Sequence, residues 1–372
     1  MKTLRAFVLS ALLCSFSVRA QNGLTGHPEW IIKPAVDQTF IMVHRANLAH
    51  LVQGYPTALE LNVAKPTLGN KLWQVENNLP YLGLTFLYMD FKNSKELGHA
   101  YSIAPYIEIP LRQEEKISRL YLRLCWGLTF LDKPFDVQSN HKNVAIGSGP
   151  NAFVQFKWFW QIPLGKQLRF EPGFTFMHCS NGRMENPNLG LNMMGLSAAL
   201  HIQIPGRSKP VVDKVDSSTR AKSRWEVMSF AALGLNQRSM GGEHYGTFVY
   251  SAALQRNIRN THKFSFGTDL FLDANYALDY QNQFGAMPTG LDQWRISLRA
   301  GYSYNVGRLS FPIEIGYYVF QKTNPDAMLV SRIGFRYYCA NGLVAHFGLR
   351  THFAVAYNFE FGLGYRIFIH AR

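Results

Sequence analysis

The sequence has few cysteines and, after its first twenty residues, no long apolar run. Of its four cysteines, Cys14 lies in the N-terminal apolar segment, which leaves Cys125, Cys179 and Cys339. An odd number of cysteines gives no disulfide framework, so we interpret these three as small interior residues. No later stretch reaches the ~18 apolar residues that a membrane-spanning helix needs, so we expect no such helix.

Cofactor motifs are also lacking. The sequence has no Cys-x-x-Cys or His-x-His spacing that is typical of a metal site, and its histidines are scattered. It has no glycine-rich loop of the kind that holds the phosphates of a cofactor. We therefore expect neither a metal ion nor an organic cofactor.

Acidic residues are scarce, because the chain has 24 Asp and Glu against 38 Lys and Arg, a formal net charge of +14. Such an excess favours an anionic partner or surface. There is no compact basic run and no recognisable nucleic-acid-reading motif, so nucleic acid is not expected. A membrane rich in phosphate-bearing lipid fits better, and an aromatic content of 14% is consistent with aromatic girdles at a membrane interface.

The N-terminus predicts a secretory signal peptide over residues 1–20. Lys2 and Arg5 precede an apolar run over residues 6–18, and Val18-Arg19-Ala20 forms a small-x-small cleavage site. The mature chain is therefore expected outside the cytoplasm.

The mature chain alternates apolar and polar residues in segments of about ten, the pattern of transmembrane β-strands. In residues 119–128, for example, apolar residues at every second position alternate with Arg119, Tyr121 and Arg123. A soluble β-sandwich shows a similar alternation, with its apolar side inward. The signal peptide, the aromatic content and the arginine-bearing faces favour an all-β, antiparallel transmembrane β-barrel in the bacterial outer membrane.

Turn residues separate about sixteen candidate strands. They begin near residues 38, 55, 80, 98, 116, 151, 167, 192, 225, 246, 262, 292, 308, 327, 343 and 356. A polar stretch over 206–223 predicts a linker between two halves, 21–205 and 224–372. Each half holds about eight strands, and the pattern leaves open one barrel of about sixteen strands or two of about eight.

The stretch over residues 178–192 carries the candidate chemistry. Extending the strand alternation places His178 and Ser180 on an apolar face, and Asn192 on the apolar face of the next strand. Polar groups are costly on a lipid-facing side, which favours a functional role over rim residues that merely bind interfacial water. A histidine can act as the base that activates a serine hydroxyl, and a third group orients its ring. The loop between the strands, which includes Asn188, is rich in Asn and Gly and suits an oxyanion.

The segments His178-Cys179-Ser180-Asn181-Gly182 and Asn186-Pro187-Asn188-Leu189-Gly190-Leu191-Asn192 resemble the signature of the PagL family of outer-membrane lipid A 3-O-deacylases. In layout the resemblance covers residues from about 38 to 205 and does not cover the second half. It implies an esterase that acts on the lipid A of lipopolysaccharide, with His178 as general base and Ser180 as nucleophile. It suggests Asn181 and Gly182 for the oxyanion site.

This sequence departs from the family at one catalytic position. The family's third catalytic residue is a glutamate at the position that Asn192 holds here. An asparagine can orient imidazole through its amide oxygen, but it provides no charge for the imidazolium. Glu185, in the loop after His178, is the alternative orienting residue.

The second half contains a weak echo of the histidine strand. Residues 348–352 resemble residues 173–178, but His352 shares a side with His346 and Arg350 rather than with the apolar residues. We therefore expect the second half to be scaffold or a decayed copy.

A porin or structural barrel is the competing interpretation. A barrel of about sixteen strands has a water-filled lumen. Arginines predicted to face that lumen would favour anions. These arginines are Arg119, Arg123, Arg295, Arg299, Arg332 and Arg336.

Overall fold

The computed structural model describes residues 28–111, 119–206, 224–258, 260–323, 327–353 and 355–369. The predicted signal peptide and residues 207–223 of the predicted linker lie outside the described residues. In the part of the chain that is described, no helix has the length and apolar character needed to cross a membrane.

Eight antiparallel strands form the first closed barrel, in which each strand pairs with the next along the chain. β8 returns to β1, where Ile41 pairs with Met193 and Ala35 with Ala199, and this pairing closes the sheet. The strands are β1 (Pro28–Ile41), β2 (Thr57–Pro66), β3 (Tyr81–Asp90), β4 (His99–Pro110), β5 (Arg119–Leu131), β6 (Pro150–Pro163), β7 (Leu168–Ser180) and β8 (Leu191–Pro205).

Eight further strands form a second closed barrel. Its last strand pairs with its first, with Phe361 opposite Leu233 and Leu363 opposite Ala231. The strands are β9 (Arg224–Gln237), β10 (His244–Asn257), β11 (His262–Asp273), β12 (Trp294–Val306), β13 (Leu309–Phe320), β14 (Leu329–Tyr338), β15 (Leu343–His352) and β16 (Val355–Ile369). The predicted all-β antiparallel barrel fold is confirmed, and of the two ways of closing the sheet the chain has two barrels of eight strands.

The first strand and the helices differ from the prediction. β1 begins at Pro28, whereas a start near residue 38 was expected. The inner face of β1 mixes the apolar Ile31 and Ile41 with Lys33 and Asp37, and Gln38 interrupts the apolar outer face, so the alternation of this strand is irregular. The pattern also gave no sign of the helices, which are α-helices over Leu72–Glu76 and Ala274–Phe284 and 3-10 helices over Ala46–Leu51 and Gly290–Gln293.

The outer walls of both barrels are apolar. Phe174 of β7 pairs with Leu196 of β8, and both side chains point outward, with 51% and 63% of their surface exposed. Ile315 of β13 and Leu363 of β16 do the same on the second barrel. Large apolar groups that face outward all along the strands suit contact with lipid and argue against a soluble sandwich.

Charged side chains fill the interior of the first barrel. Lys33 bonds to Glu108 and lies 3.2 Å from the Glu171 carboxylate. Arg123 donates to Glu108 at 2.6 Å and to Glu60 at 3.2 Å. These groups are almost fully buried, and each charge has an opposite partner, as burial of charge requires.

The second barrel is filled in the same way. Glu314 accepts hydrogen bonds from Arg299 at 2.6 Å, from Arg332 at 3.1 Å and from Arg336 at 2.9 Å. Arg295 is paired with Asp273 at 2.5 Å. The expectation of a water-filled, anion-selective lumen is therefore wrong, because eight-stranded barrels are narrow enough for side chains to fill and the interior arginines neutralise carboxylates.

The two barrels pack side by side through outward-facing residues. Ile107 and Ile109 of β4 are buried in an apolar cluster that includes Val306 of β12. The Trp126 ring of β5 lies edge-on to Phe335 and Phe347 of the second barrel, with centroids 5.5 and 5.4 Å away. Part of the first barrel's outer wall is thus covered by the second barrel.

Candidate active site

The register between β7 and β8 places His178 directly opposite Asn192. Both side chains lie on the outer face, as does Ser180, which is two residues beyond His178 at the end of β7. His178 Nδ1 is 2.6 Å from Asn192 Oδ1, and His178 Nε2 is 2.8 Å from Ser180 Oγ. Ser180 is 4% exposed and His178 is half-buried, so this polar row is largely shielded by the surrounding loops.

These two contacts define where the protons of the row lie. An amide oxygen accepts hydrogen bonds and cannot donate them, so His178 Nδ1 carries a proton and donates it to Asn192 Oδ1. His178 Nε2 then accepts the hydrogen bond that the Ser180 hydroxyl donates. This is the tautomer in which an imidazole can take the proton of a serine.

His44, which the sequence analysis missed, extends the row by one residue. Its Nε2 lies 3.1 Å from the Leu189 carbonyl, to which the tautomer protonated at Nε2 donates. Its Nδ1 can then accept a hydrogen bond from Asn192 Nδ2, at 3.3 Å, and lies equally close to the Met42 carbonyl. The hydrogen bond from Asn192 Nδ2 to His44 fixes the amide with its oxygen toward His178.

The closure of the barrel explains how His44 reaches the site. Residues 42–44 continue from β1, and β1 pairs with β8 only when the sheet closes. The Met42 N–H accordingly donates to the Asn192 carbonyl at 2.8 Å. The sequence does show a polar residue, His44, just beyond β1. It can be assigned to the site only once the first and eighth strands are known to be neighbours.

Glu185 does not orient His178. Its carboxylate lies 2.9 Å from His244 Nε2 of the second barrel, and Asn192 takes the place beside His178 Nδ1. The expectation that Glu185 serves as an alternative orienting residue is therefore wrong. Among the described residues, no group of three His, Cys, Asp or Glu side chains is placed to hold a metal ion.

Asn181 is tied into the loop rather than aimed at a substrate. Its N–H donates to Asn188 Oδ1 at 3.1 Å, and its side-chain amide donates to Ser148 Oγ and to the Glu185 carbonyl. Asn188 differs, because its Nδ2 is buried and has no hydrogen-bond partner among the described residues. Of the two asparagines expected near an oxyanion, Asn188 has an unused side-chain N–H donor, and the Asn181 N–H holds the Asn188 amide in place.

Two glycines fit the loop closely around these groups. Gly190 has a φ of +76°, and a Cβ on it would lie 3.0 Å from the His178 ring. Gly182 has a φ of +65°, and a Cβ there would lie 2.6 Å from the Phe359 ring of the second barrel. Positive φ and lack of space both require glycine at these positions. Gly182, which the sequence suggested for the oxyanion site, thus also forms a contact between the barrels.

An apolar groove of about 400 Å³ continues along the same outer wall. Phe174 and Leu196, which contribute to it, lie four residues from His178 and Asn192 on their strands, roughly 13 Å away. Small residues form much of the lining, which consists of Val36, Gln38, Trp160, Pro172, Gly173, Phe174, Leu196, Ser197 and Ala198.

Two family models match successive parts of the chain. The model described as lipid A 3-O-deacylase (PagL) matches residues 58–201. The model described as acyloxyacyl hydrolase, C-terminal domain, matches residues 223–370. The chain belongs to the PagL family. The second model thus covers the second half of the chain, to which the sequence signature did not extend.

Membership of the PagL family, together with the barrel fold, makes this chain a lipid A-deacylating hydrolase of the bacterial outer membrane. The resemblance inferred from the signature around His178 is confirmed at the level of the family. The first matched region lies within the first barrel, from β2 to β8, and the second coincides closely with the second barrel, which spans Arg224 to Ile369.

Solved structures match the PagL-family chain with low similarity. A triple mutant of Rhodopseudomonas blastica porin is 7% identical with a TM-score of 0.18, and the match covers 92% of this chain and 100% of that one. CdiB from Acinetobacter baumannii is 9% identical with a TM-score of 0.19, over 92% of this chain and 60% of that one. Scores this low carry no argument about function. A comparison with curated protein sequences finds no match.

Proposed function

We propose that the chain removes an ester-linked 3-hydroxyacyl chain from lipid A, with Ser180 as nucleophile and His178 as general base. The observation that carries this proposal is the hydrogen-bonded row Ser180–His178–Asn192 on the lipid-facing side of the first barrel. Polar groups are costly on that face, and an ester of a membrane lipid lies at the same level as the barrel's rim.

The reaction proceeds through an acyl-enzyme. Nε2 of His178 takes the hydroxyl proton while Ser180 Oγ bonds to the ester carbonyl carbon, whose oxygen becomes an oxyanion. The carbonyl then re-forms, the bond to the sugar oxygen breaks, and that oxygen takes the proton from His178. A water molecule attacks the acyl-enzyme in the same manner, which releases the 3-hydroxy fatty acid and restores Ser180.

A carboxylate orients the histidine ring and also attracts its positive charge. In this chain Asn192 and His44 supply the orientation of His178 without the charge. A carboxylate accepts with either oxygen, whereas an amide presents an acceptor to His178 Nδ1 only when it is turned the right way. The hydrogen bond from Asn192 Nδ2 to His44 supports that orientation. Because an amide adds no negative charge, the imidazolium gains less stabilisation than from the glutamate of the family, and we expect a slower reaction.

Asn188 is the proposed oxyanion donor. Its Nδ2 is buried and without a partner among the described residues, while its Oδ1 is held by the Asn181 N–H at 3.1 Å. An amide held from one side, with an unused donor on the other, is preorganised to stabilise developing negative charge.

The surroundings of the row suit a lipid A molecule. We place the acyl chain in the apolar groove along β7 and β8, which begins on the same face as His178. Basic residues in loops at this end of the barrel, Arg45, Lys133 and Arg183, are candidates to bind the lipid's phosphates.

Mass spectrometry of lipid A from cells that express the wild-type chain, Ser180→Ala or His178→Ala tests the proposal. We expect the wild type to release a 3-hydroxy fatty acid and both variants to release none, and the mass of the residual lipid identifies the ester that is cut. Heat-modifiable migration in electrophoresis checks that the barrels fold. Folded variants that leave the lipid A profile identical to the wild type would reject the catalytic roles of Ser180 and His178.

A further inference from the structure

The second barrel touches the first at the loop that carries the proposed oxyanion donor. We define the site loop as residues 181–190, between β7 and β8. Gln237, the last residue of β9, lies against this loop and is 2% exposed. It is therefore part of a buried contact between the barrels rather than of a solvated turn.

Gln237 makes three hydrogen bonds to the site loop. Its N–H donates to the Arg183 carbonyl at 3.0 Å. Its side-chain Oε1 accepts from the Asn186 N–H at 2.6 Å, and its carbonyl accepts from Asn186 Nδ2 at 2.6 Å. Nε2 donates to the Gly242 carbonyl at 2.9 Å, which turns Oε1 toward Asn186.

The site loop is held from its other side by the first barrel. A Cβ on Gly147 would lie 2.8 Å from the Asn186 carbonyl carbon, so this stretch of the first barrel packs directly on the loop. Asn186 is thus enclosed between Gly147 and Gln237. Asn188 follows two residues later, so the enclosed segment determines its position.

We propose that the second barrel holds the site loop in its catalytic conformation, with Gln237 as the positioning residue that places Asn188. This inference rests on the proposed function, because it assumes that Asn188 stabilises the oxyanion. The second barrel then acts on the reaction without contacting the substrate, which gives a role to the half of the chain whose strand histidines His346 and His352 face the interior.

Small displacements of the site loop would displace the proposed oxyanion donor. The site loop has internal hydrogen bonds around Asn181, but the backbone and side-chain amides of Asn186 both donate to Gln237 of the second barrel, and without that partner this segment is free to shift. An oxyanion donor loses most of its effect when displaced by about 1 Å. Hydrogen bonds from a rigid neighbouring strand remove that freedom before the substrate binds.

The first test compares Gln237→Met with the wild-type full-length chain on lipid A dispersed in detergent. Methionine keeps the length of the side chain and removes the acceptor for the Asn186 N–H. We expect kcat to fall about 10- to 100-fold with KM nearly unchanged, because Gln237 positions a transition-state donor and does not bind lipid. The matched control is Arg238→Gln, whose exposed side chain pairs with Asp279 of the helix Ala274–Phe284 and should keep wild-type kcat.

A double variant separates positioning from general loss of structure. If Gln237 acts through Asn188, the Gln237→Met substitution should cost less than about threefold in an Asn188→Ala background. Equal losses in both backgrounds, a wild-type kcat for Gln237→Met, or a loss confined to KM would each overturn the inference.

A variant in the loop tests the same contact from the first barrel. Asn186→Ala removes the amide that donates to the Gln237 carbonyl and should lower kcat in the same direction, which keeps the test decisive if Gln237→Met does not fold. Ser180→Ala keeps the two proposals apart. If it remains active, the proposed function fails; if it is inactive while the Gln237 and Asn186 variants match the wild type, only the role of the second barrel fails.

Discussion

The first barrel carries His178 on the outer face of β7, whereas the second barrel turns His346 and His352 of β15 into its interior. His352 Nε2 lies 2.9 Å from the Tyr318 hydroxyl, and His346 Nε2 lies 3.4 Å from a Glu360 carboxylate oxygen. Inside the barrel these histidines are held among charged and aromatic groups that serve the fold. On the outer wall, His178 lies beside the hydroxyl of Ser180 at the end of β7.

The difference follows from strand geometry. Successive side chains of a β-strand point to opposite faces, so a shift of a single position moves a histidine from the lipid side to the interior. Both barrels share an eight-stranded, salt-bridged framework, and a different choice of face on one strand separates a candidate catalytic wall from a structural one. In these barrels the side of the wall that a residue faces therefore matters as much as its identity.

The largest effect should come from exchanging one histidine in each barrel. His178→Ala should lower kcat about 10³-fold or more, because the proposed base is lost. His352→Gln, which can still bond to Tyr318, should change kcat about twofold or less because its side chain faces the interior. Initial rates of fatty acid release from lipid A measure both, and comparable losses in the two variants would break the contrast between the barrels.

An intermediate effect is expected for His44, which extends the row on the outer wall of the first barrel. His44→Phe should lower kcat about 10- to 100-fold, because Asn192 loses the acceptor that keeps its oxygen toward His178. In an Asn192→Asp background the same substitution should cost less than about threefold, since either oxygen of a carboxylate can accept.

The control for His44 is a histidine on the same loop. His50 bonds to the Lys142 carbonyl at 2.8 Å and lies outside the row, so His50→Ala should keep wild-type kcat. An equal loss of kcat on His44→Phe in the wild-type and the Asn192→Asp backgrounds would show that His44 supports the loop rather than the amide.

The smallest effect should come from Glu185→Ala. The pair Glu185–His244 spans the two barrels, but both side chains are about 40% exposed, and exposed pairs contribute between about 0 and 1 kcal/mol. We expect kcat to change about twofold or less in the same lipid A assay. A loss as large as that of His178→Ala would instead return Glu185 to the catalytic row.

The alternation of residues predicted much of the fold because it is a local property. Fifteen of the strands begin within about three residues of their predicted starts, and the start of β1 is missed because apolar residues on its inner face and Gln38 on its outer face make its alternation irregular. Alternation cannot tell which distant strands meet. The choice between one barrel and two depends on pairs such as Ile41 with Met193 and Phe361 with Leu233, which no local pattern records.

The same distinction between local pattern and distant contact applies to the residues of the candidate site. His178, Ser180 and Asn192 could be placed on one face from the sequence because they lie on two consecutive strands. His44 and Gln237 were missed because they reach the site through barrel closure and barrel packing. Glu185 was misassigned because distance along the chain does not report that a partner in the second barrel, His244, lies beside it.

The packed interior of the first barrel has a consequence for the route of water. Lys33 and Arg123 are buried in the interior of the barrel and both donate hydrogen bonds to Glu108, so the wall that carries Ser180 is backed by a salt-bridged plug. In the proposed reaction the hydrolytic water therefore arrives over the rim, from the aqueous side, while the acyl chain arrives from the membrane. Ser180, the last residue of β7, thus lies where the water and the acyl chain meet.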